Sequence, residues 1–241
     1  MLTPPIRAVL FDLDGTLLRV EMHNFIPRYM KGFHACCNDL VGSGVLQRAM
    51  RAAIHLLLET ECGQHSNEER FFSFLAGRLR LNEDLLRARF NQYLETGLEP
   101  LADEIFEIPE TGPLLGCCRQ AGIPMVLATN PVFPQVLNEA RCRWAGIDSD
   151  DFEFVTCLEN SRYCKPQGGY FTEVAEVLGL DPRECLMVGN DTSHDLSATE
   201  VGMTTWLVDS YMLEREGQAW EPDYRGSHQD LLEFFRIHLA S

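Results

Sequence analysis

Ala8-Val9-Leu10-Phe11-Asp12-Leu13-Asp14-Gly15-Thr16-Leu17-Leu18 opens on four apolar residues and then sets two aspartates, one residue apart, ahead of a glycine. The apolar run reads as a short buried strand with Asp12 at its carboxyl end. Open parallel sheets bind their ligands beyond that end of their strands. On a continuing strand, residues at i and i+2 point the same way. Gly15 lets the chain bend past the strand, so Asp12 and Asp14 can converge on one centre. One carboxylate can then attack while the other handles a proton, the division of labour that covalent phosphoryl transfer requires. Alone, the stretch is better read as an Asp-Gly turn at a strand end; the rest of the chain decides against that reading.

Working outward, four later segments read as short buried strands: Pro124 to Thr129, Phe152 to Thr156, Cys185 to Gly189 and Thr204 to Val208. Helical patterns lie between them, from Pro113 to Ala121 before Gly122, from about Phe133 to Ala145 before Gly146, and from Tyr170 to Leu178 before Gly179. Such alternation predicts an α/β fold, a parallel sheet flanked by helices. Residues from about Val20 to Glu104 show no strand, only amphipathic helical repeats. Leu46, Met50, Ile54, Leu57 and Leu58 recur at helical spacing, Ser66 and Glu69 form a capping box, and Asn82 caps a further helix. The return linker runs from Glu99-Pro100 to Pro109. The expected organisation is a core over residues 1–18 and 105–241, with an all-α helical bundle over 19–104 inserted after the first strand.

The 241 residues are 45% hydrophobic and 23% charged, ordinary for a soluble globular protein. A net charge of −16 argues against nucleic acid or an anionic membrane as partner. No apolar run is long enough to span a bilayer, and Met1 to Arg7 lacks the apolar core of a signal segment. The nine cysteines are odd in number and include the adjacent pairs Cys36-Cys37 and Cys117-Cys118, which suits neither bridges nor zinc. Cys62 and His65 share a short spacing but have no second ligand pair. Free thiols in a reducing cytoplasm are expected. Among 20 basic residues only Lys31 and Lys165 are lysines. Arginine substitutes poorly for a compact ammonium, which singles the two out.

Three more sites fall beyond the expected strands: Thr129-Asn130, Lys165-Pro166, and Gly189-Asn190-Asp191-Thr192-Ser193-His194-Asp195. With Asp12 and Asp14 they form a set in which each member has a task. A phosphoryl dianion repels a carboxylate nucleophile, so attack needs a hard cation and a fixed ammonium. Mg²⁺ prefers oxygen ligands, keeps several waters and bridges carboxylates to phosphate. A lysine and a hydroxyl can hold the other phosphate oxygens as charge spreads in the transition state.

With these sites in order, the chain resembles the haloacid dehalogenase-like superfamily, in its phosphatase branch with an α-helical cap at the first insertion point and a Rossmann-like core. The resemblance implies that Asp12 is the nucleophile that becomes an aspartyl phosphate. It makes Asp14 the general acid-base, whose backbone carbonyl also binds Mg²⁺, and Thr16 a support of the active-site loop. Thr129 then binds phosphate, with Asn130 as a second donor, and Lys165 steadies nucleophile and phosphate. The last motif departs from the family pattern of Gly-Asp with another acid soon after. Here Asn190 replaces the first acid, Asp191 comes next, and Asp195 fits the second. Either Asn190 ligates the metal through its amide oxygen, or Asp191 does so directly or through water.

The leading expectation is a Mg²⁺-dependent phosphomonoesterase acting on a small phosphorylated metabolite, as monomer or homodimer. A phosphomutase and a catalytically silent metal- or phosphate-binding scaffold are the alternatives. A dehalogenase is disfavoured because that branch does not use the second aspartate, and phosphonate cleavage would need Lys31 as the Schiff-base amine. Arg19 and His23 follow the first motif closely enough for a loop to bring them over the phosphate, although a surface linker is the plainer reading. Phe71, Phe72 and Phe74 read as cap core.

Overall fold

The structure is a computed structural model that describes residues 5–215 and 220–239. The chain begins with β1 (Ala8–Phe11) and, beyond the aspartate turn, β2 (Leu18–Val20). Four helices follow: α1 (Met22–Ala35), α2 (Ser43–Glu59), α3 (Asn67–Leu79) and α4 (Glu83–Thr96). A 3₁₀ turn and β3 (Ile105–Glu107) lead into an alternating half. It contains α5 (Thr111–Ala121), β4 (Met125–Leu127), α6 (Gln135–Trp144), β5 (Phe154–Val155), α7 (Gly168–Leu178), β6 (Cys185–Gly189), β7 (Thr204–Val208), β8 (Tyr224–Gly226) and α8 (His228–His238).

The six-stranded sheet has the order β5-β4-β1-β6-β7-β8, and every pairing in it is parallel. β1 is flanked by β4 on one side and β6 on the other, with Phe11 opposite both Leu127 and Val188. Because side chains alternate along a strand, β1 feeds two cores. Val9 and Phe11 join the cluster that holds α5, α6, α8 and the four inserted helices. Ala8 and Leu10 join the smaller cluster built on Tyr170, Phe171 and Val174 of α7. The sheet is thus covered on both faces, which explains why its strands read as unbroken apolar runs rather than alternating ones.

The inserted helices begin where their caps dictate. The backbone N–H of Glu69 donates to Ser66 Oγ at 3.2 Å and the N–H of Ser66 donates back to Glu69 Oε2 at 3.0 Å, the expected capping box at the start of α3. Asn82 caps α4 by accepting from the Leu85 N–H at 2.9 Å. Phe33, Phe72, Phe90 and Tyr93 meet in the middle of this bundle, where each buried ring contributes about 1.5–3 kcal/mol. Phe71 and Phe72 are buried and Phe74 is half-buried, so the cluster belongs to the packing, not to a pocket. Two amide side chains fasten the bundle to the sheet half. Asn67 donates to the carbonyl of Tyr163 at 3.2 Å, and Gln167 donates to that of Leu58 at 3.0 Å.

Two features depart from the sequence reading. The stretch from Val20 was expected to hold no strand, yet Val20 ends β2, which pairs antiparallel with β3 as Leu18–Glu107, Arg19–Phe106 and Val20–Ile105. β2 therefore straddles the boundary expected after residue 18. These three-residue strands exist only through pairing between segments far apart in the chain, and so leave no local periodicity. β8 is the second addition, an edge strand of partly exposed residues. The expected strands over 124–129 and 152–156 are shorter, at 125–127 and 154–155, and α6 spans 135–144.

Candidate active site

Since β1, β4 and β6 are neighbours, the loops that leave their carboxyl ends open into one crevice, where the chain winds away from β1 in both directions. A cavity of about 360 Å³ there takes in Asp12, Asp14, Thr129, Asn130, Lys165, Asn190, Asp191 and Asp195. Thr16 is the one expected site residue that does not line it. Thr16 is buried behind the turn, and its carbonyl faces His228 Nε2 at 2.9 Å.

Lys165 is the centre of the charged floor. Its ammonium is 1% exposed and lies 2.9 Å from Asp12 Oδ1 and 2.6 Å from Asp195 Oδ1. Burial by itself would lower the Lys165 pKa, but the two carboxylates outweigh it and hold the group above its ordinary value. The Asp195 pKa is raised as well, to about 7, first by burial and then by Asp12, with Lys165 opposing. Its second oxygen accepts the backbone N–H groups of Asn190 at 3.0 Å and Asp191 at 2.9 Å, so Asp195 ties the third loop to the lysine. Gly189 makes this possible, because a Cβ there would collide with the Asp195 carboxylate. Gly15 plays the same part for the first loop: its φ is +84°, and a Cβ would strike the Asn190 amide.

Thr129 is held by its backbone. Its carbonyl accepts from Thr156 Oγ1 at 2.6 Å and from the Tyr170 hydroxyl at 3.0 Å, both buried. Asn130 donates to the Lys165 carbonyl at 3.3 Å, so part of its expected donor capacity goes to the lysine loop. Asp14 pairs with Arg141, whose guanidinium is fully buried on α6 and also donates to Asn138 Oδ1 at 3.3 Å. The rings of Phe25 and Phe133 lie 5.5 and 5.3 Å from that guanidinium. Burial brings the Arg141 pKa down to about 10, which leaves it charged at neutral pH. Asp191 accepts from the Ser193 and His194 N–H groups at 3.0 and 2.9 Å and pairs with Arg215. Against its burial, the His194 N–H and Arg215 keep its carboxyl below the ordinary range. His194, also in the cavity, is lowered to about 4 by burial and is neutral at pH 7.

Asp12, Asp14 and Asn190 line the cavity and each carries a side-chain oxygen, the ligand type a hard cation such as Mg²⁺ prefers, and that ion takes only one or two protein carboxylates beside its waters. No group of three or more His, Cys, Asp and Glu is clustered for a metal among the described residues. Of the two candidates in the third loop, Asn190 packs against Gly15, whereas Asp191 is committed to Arg215.

The haloacid dehalogenase-like hydrolase family matches residues 6–200. The chain belongs to the haloacid dehalogenase-like hydrolases. Hexitol phosphatase A of Escherichia coli is 28% identical to it, over 81% of this chain and 80% of the relative. Phosphoglycolate phosphatase of Neisseria gonorrhoeae is 24% identical, over 88% and 85%. A solved 2-haloacid dehalogenase from Pseudomonas syringae superposes with a TM-score of 0.63 at 21% identity, covering 96% of this chain and 98% of its own, a likeness of fold.

In this hydrolase several residues in or beside the cavity escape sequence reading. Arg141 sits among charged neighbours in a helix and reads there as solvated; its one signal is that it falls one turn after Leu137, on the face the helix buries. Arg215 carries no motif, and His194 lies within the Gly189 to Asp195 motif without a role assigned to it there. Other expectations resolve outside the cavity. Arg19 stacks over Phe106 at 4.4 Å, His23 is exposed beside Glu21, and Lys31 is exposed on α1. All nine cysteines are free. Among the described residues no helix is long and apolar enough to cross a membrane.

Proposed function

We propose that this hydrolase is a magnesium-dependent phosphatase that cleaves a small phosphomonoester metabolite through an aspartyl phosphate on Asp12. One observation carries the reading: Asp12 and Asp14 share a cavity in which a buried lysine holds Asp12 and a buried arginine holds Asp14. The second carboxylate favours a phosphatase over a dehalogenase, and the hexitol and phosphoglycolate phosphatases among its relatives agree with that choice. The Asp12 oxygen attacks phosphorus as the ester P–O bond breaks, and Asp14 delivers the proton that the leaving oxygen takes. Asp14 then removes a proton from the water that attacks the acyl phosphate and frees Asp12. Lys165 stays fixed throughout and offsets charge on nucleophile and phosphoryl oxygens, while Thr129 and Asn130 face the same anion. Asp12, the Asp14 carbonyl and Asn190, with Asp191 behind, are the groups that would hold magnesium, which when bound neutralises phosphoryl charge during transfer. We assign residues 19–104 as a cap that keeps bulk water from the cavity, over a core of residues 1–18 and 105–241. Free thiols throughout suit a reducing cytoplasm.

The test is phosphate release from a panel of small esters with Mg²⁺, with chelator, and after Mg²⁺ is restored. Release that disappears with chelator and returns with metal supports the reading. Release indifferent to chelator, or absent from every ester with folded protein, overturns it.

A further inference from the structure

The cavity has two unlike halves. Every polar side chain that lines it among the described residues comes from the sheet half: the three strand-end loops, the Lys165 loop and the segment that carries Arg215. The inserted helices contribute only aliphatic groups, Met22 and Ile26 from α1 and Ile54 and Leu58 from α2. Each pair is spaced i, i+4, so it forms one face of its helix. All four are half-buried, while Phe25, Ala53 and Leu57 beside them on the same helices are 0% exposed in the bundle core. Their exposed surface is therefore the wall that faces the reaction centre. Leu213, 47% exposed, extends that wall from the sheet side.

We propose that the substrate's alcohol portion is an apolar, hydroxyl-poor body, so that this enzyme serves phosphate monoesters of small hydrocarbon-like alcohols and not those of sugars, polyols or nucleosides. The inference rests on the phosphatase reading above. With the phosphoryl group among Asp12, Lys165 and Thr129, the remainder of a substrate extends towards α1 and α2. A hydroxyl there leaves water and meets methyl and thioether groups that cannot accept or donate well, a loss without compensation. A methylene there gains contact with the same groups. The roughly 360 Å³ available, shared with the phosphoryl group, accommodates a body of about one ring.

Two esters of primary alcohols separate the possibilities: cyclohexylmethyl phosphate and glucose 6-phosphate carry rings of equal size, without and with hydroxyls. Acetyl phosphate, too short to reach the helices, reports phosphoryl transfer alone. The expected result is a kcat/KM at least tenfold higher for the cyclohexylmethyl ester. Ile54→Asn and, separately, Met22→Gln should each shrink that preference at least threefold, chiefly through KM, while acetyl phosphate turnover changes less. Equal or better use of glucose 6-phosphate overturns the inference and leaves the phosphatase reading intact, as does acetyl phosphate cleavage with neither ring ester used. Failure on all three from folded, Mg²⁺-loaded protein overturns the phosphatase reading and the inference with it.

Discussion

The strand-end loops and the inserted helices face each other across one cavity and are built by opposite rules. On the sheet side the charged groups come in buried pairs, Lys165 with Asp12 and Asp195, Arg141 with Asp14, and each is further held by backbone donors or ring faces. On the helical side the wall is aliphatic and makes no polar commitment. A buried charge is tolerable only when paired, so the sheet side can change little without loss. The aliphatic wall tolerates swaps of similar volume, so it is the half in which preference can drift while the chemistry stays. Reaction and selection are thereby assigned to different parts of the chain.

The largest effect expected from breaking this division is at Asp12. Asp12→Asn keeps the shape but removes the proposed nucleophile, and phosphate release should fall roughly a thousandfold or more, read against an unchanged circular dichroism spectrum. Next is Arg141→Met, which leaves Asp14 without its counter-charge. Because Asp14 is partly open to the cavity, at 22% side-chain exposure, a loss near the lower end of the usual range, about 3 kcal/mol, is expected in denaturant unfolding. Asp14→Asn added to it should recover part of that loss; strictly additive losses would argue that the pair carries no coupling. On the helical side, Ser66→Ala removes the α3 cap and should lower stability by about 1 kcal/mol with kcat unchanged. A parallel drop in kcat would show that the two halves are not separable in this way.

The smallest effect concerns the support beneath the first loop. Burial holds the His228 pKa below its ordinary value, against the opposing pull of the Thr16 carbonyl. A histidine lowered in the folded state contributes stability above its unfolded pKa, near 6.5, and that contribution is lost as pH falls below it. Unfolding measured on either side of about pH 6.5 should show this slope in the wild type and a shallower one in His228→Gln. Equal slopes would remove His228 from the account.

The charged floor was largely legible in the sequence because its members follow apolar strands, and parallel-sheet topology gathers strand ends into one crevice. Asp12, Thr129 and Asn190 needed only the order of the strands. What was hidden is whatever depends on distant pairing. β2 and β3 are each three residues long and are defined by one another. Arg141 meets Asp14 across about half the chain, and only its place on the Leu137 face distinguishes it locally from Arg143 on the same helix, which is largely exposed. The aliphatic wall is visible only in part: Ile54 and Leu58 read as a helical stripe, but helical spacing does not tell a core face from a cavity face. That distinction comes from the residual exposure of the four wall residues.

The central claim is that Asp12 becomes covalently phosphorylated. Rapid acid quench during turnover of a cleaved ester, followed by peptide mass spectrometry, tests it most directly. The account predicts a single added phosphoryl group on the peptide that carries Asp12, absent from Asp12→Asn and released by hydroxylamine. A phosphoryl group on another residue, or full turnover by Asp12→Asn, would contradict it.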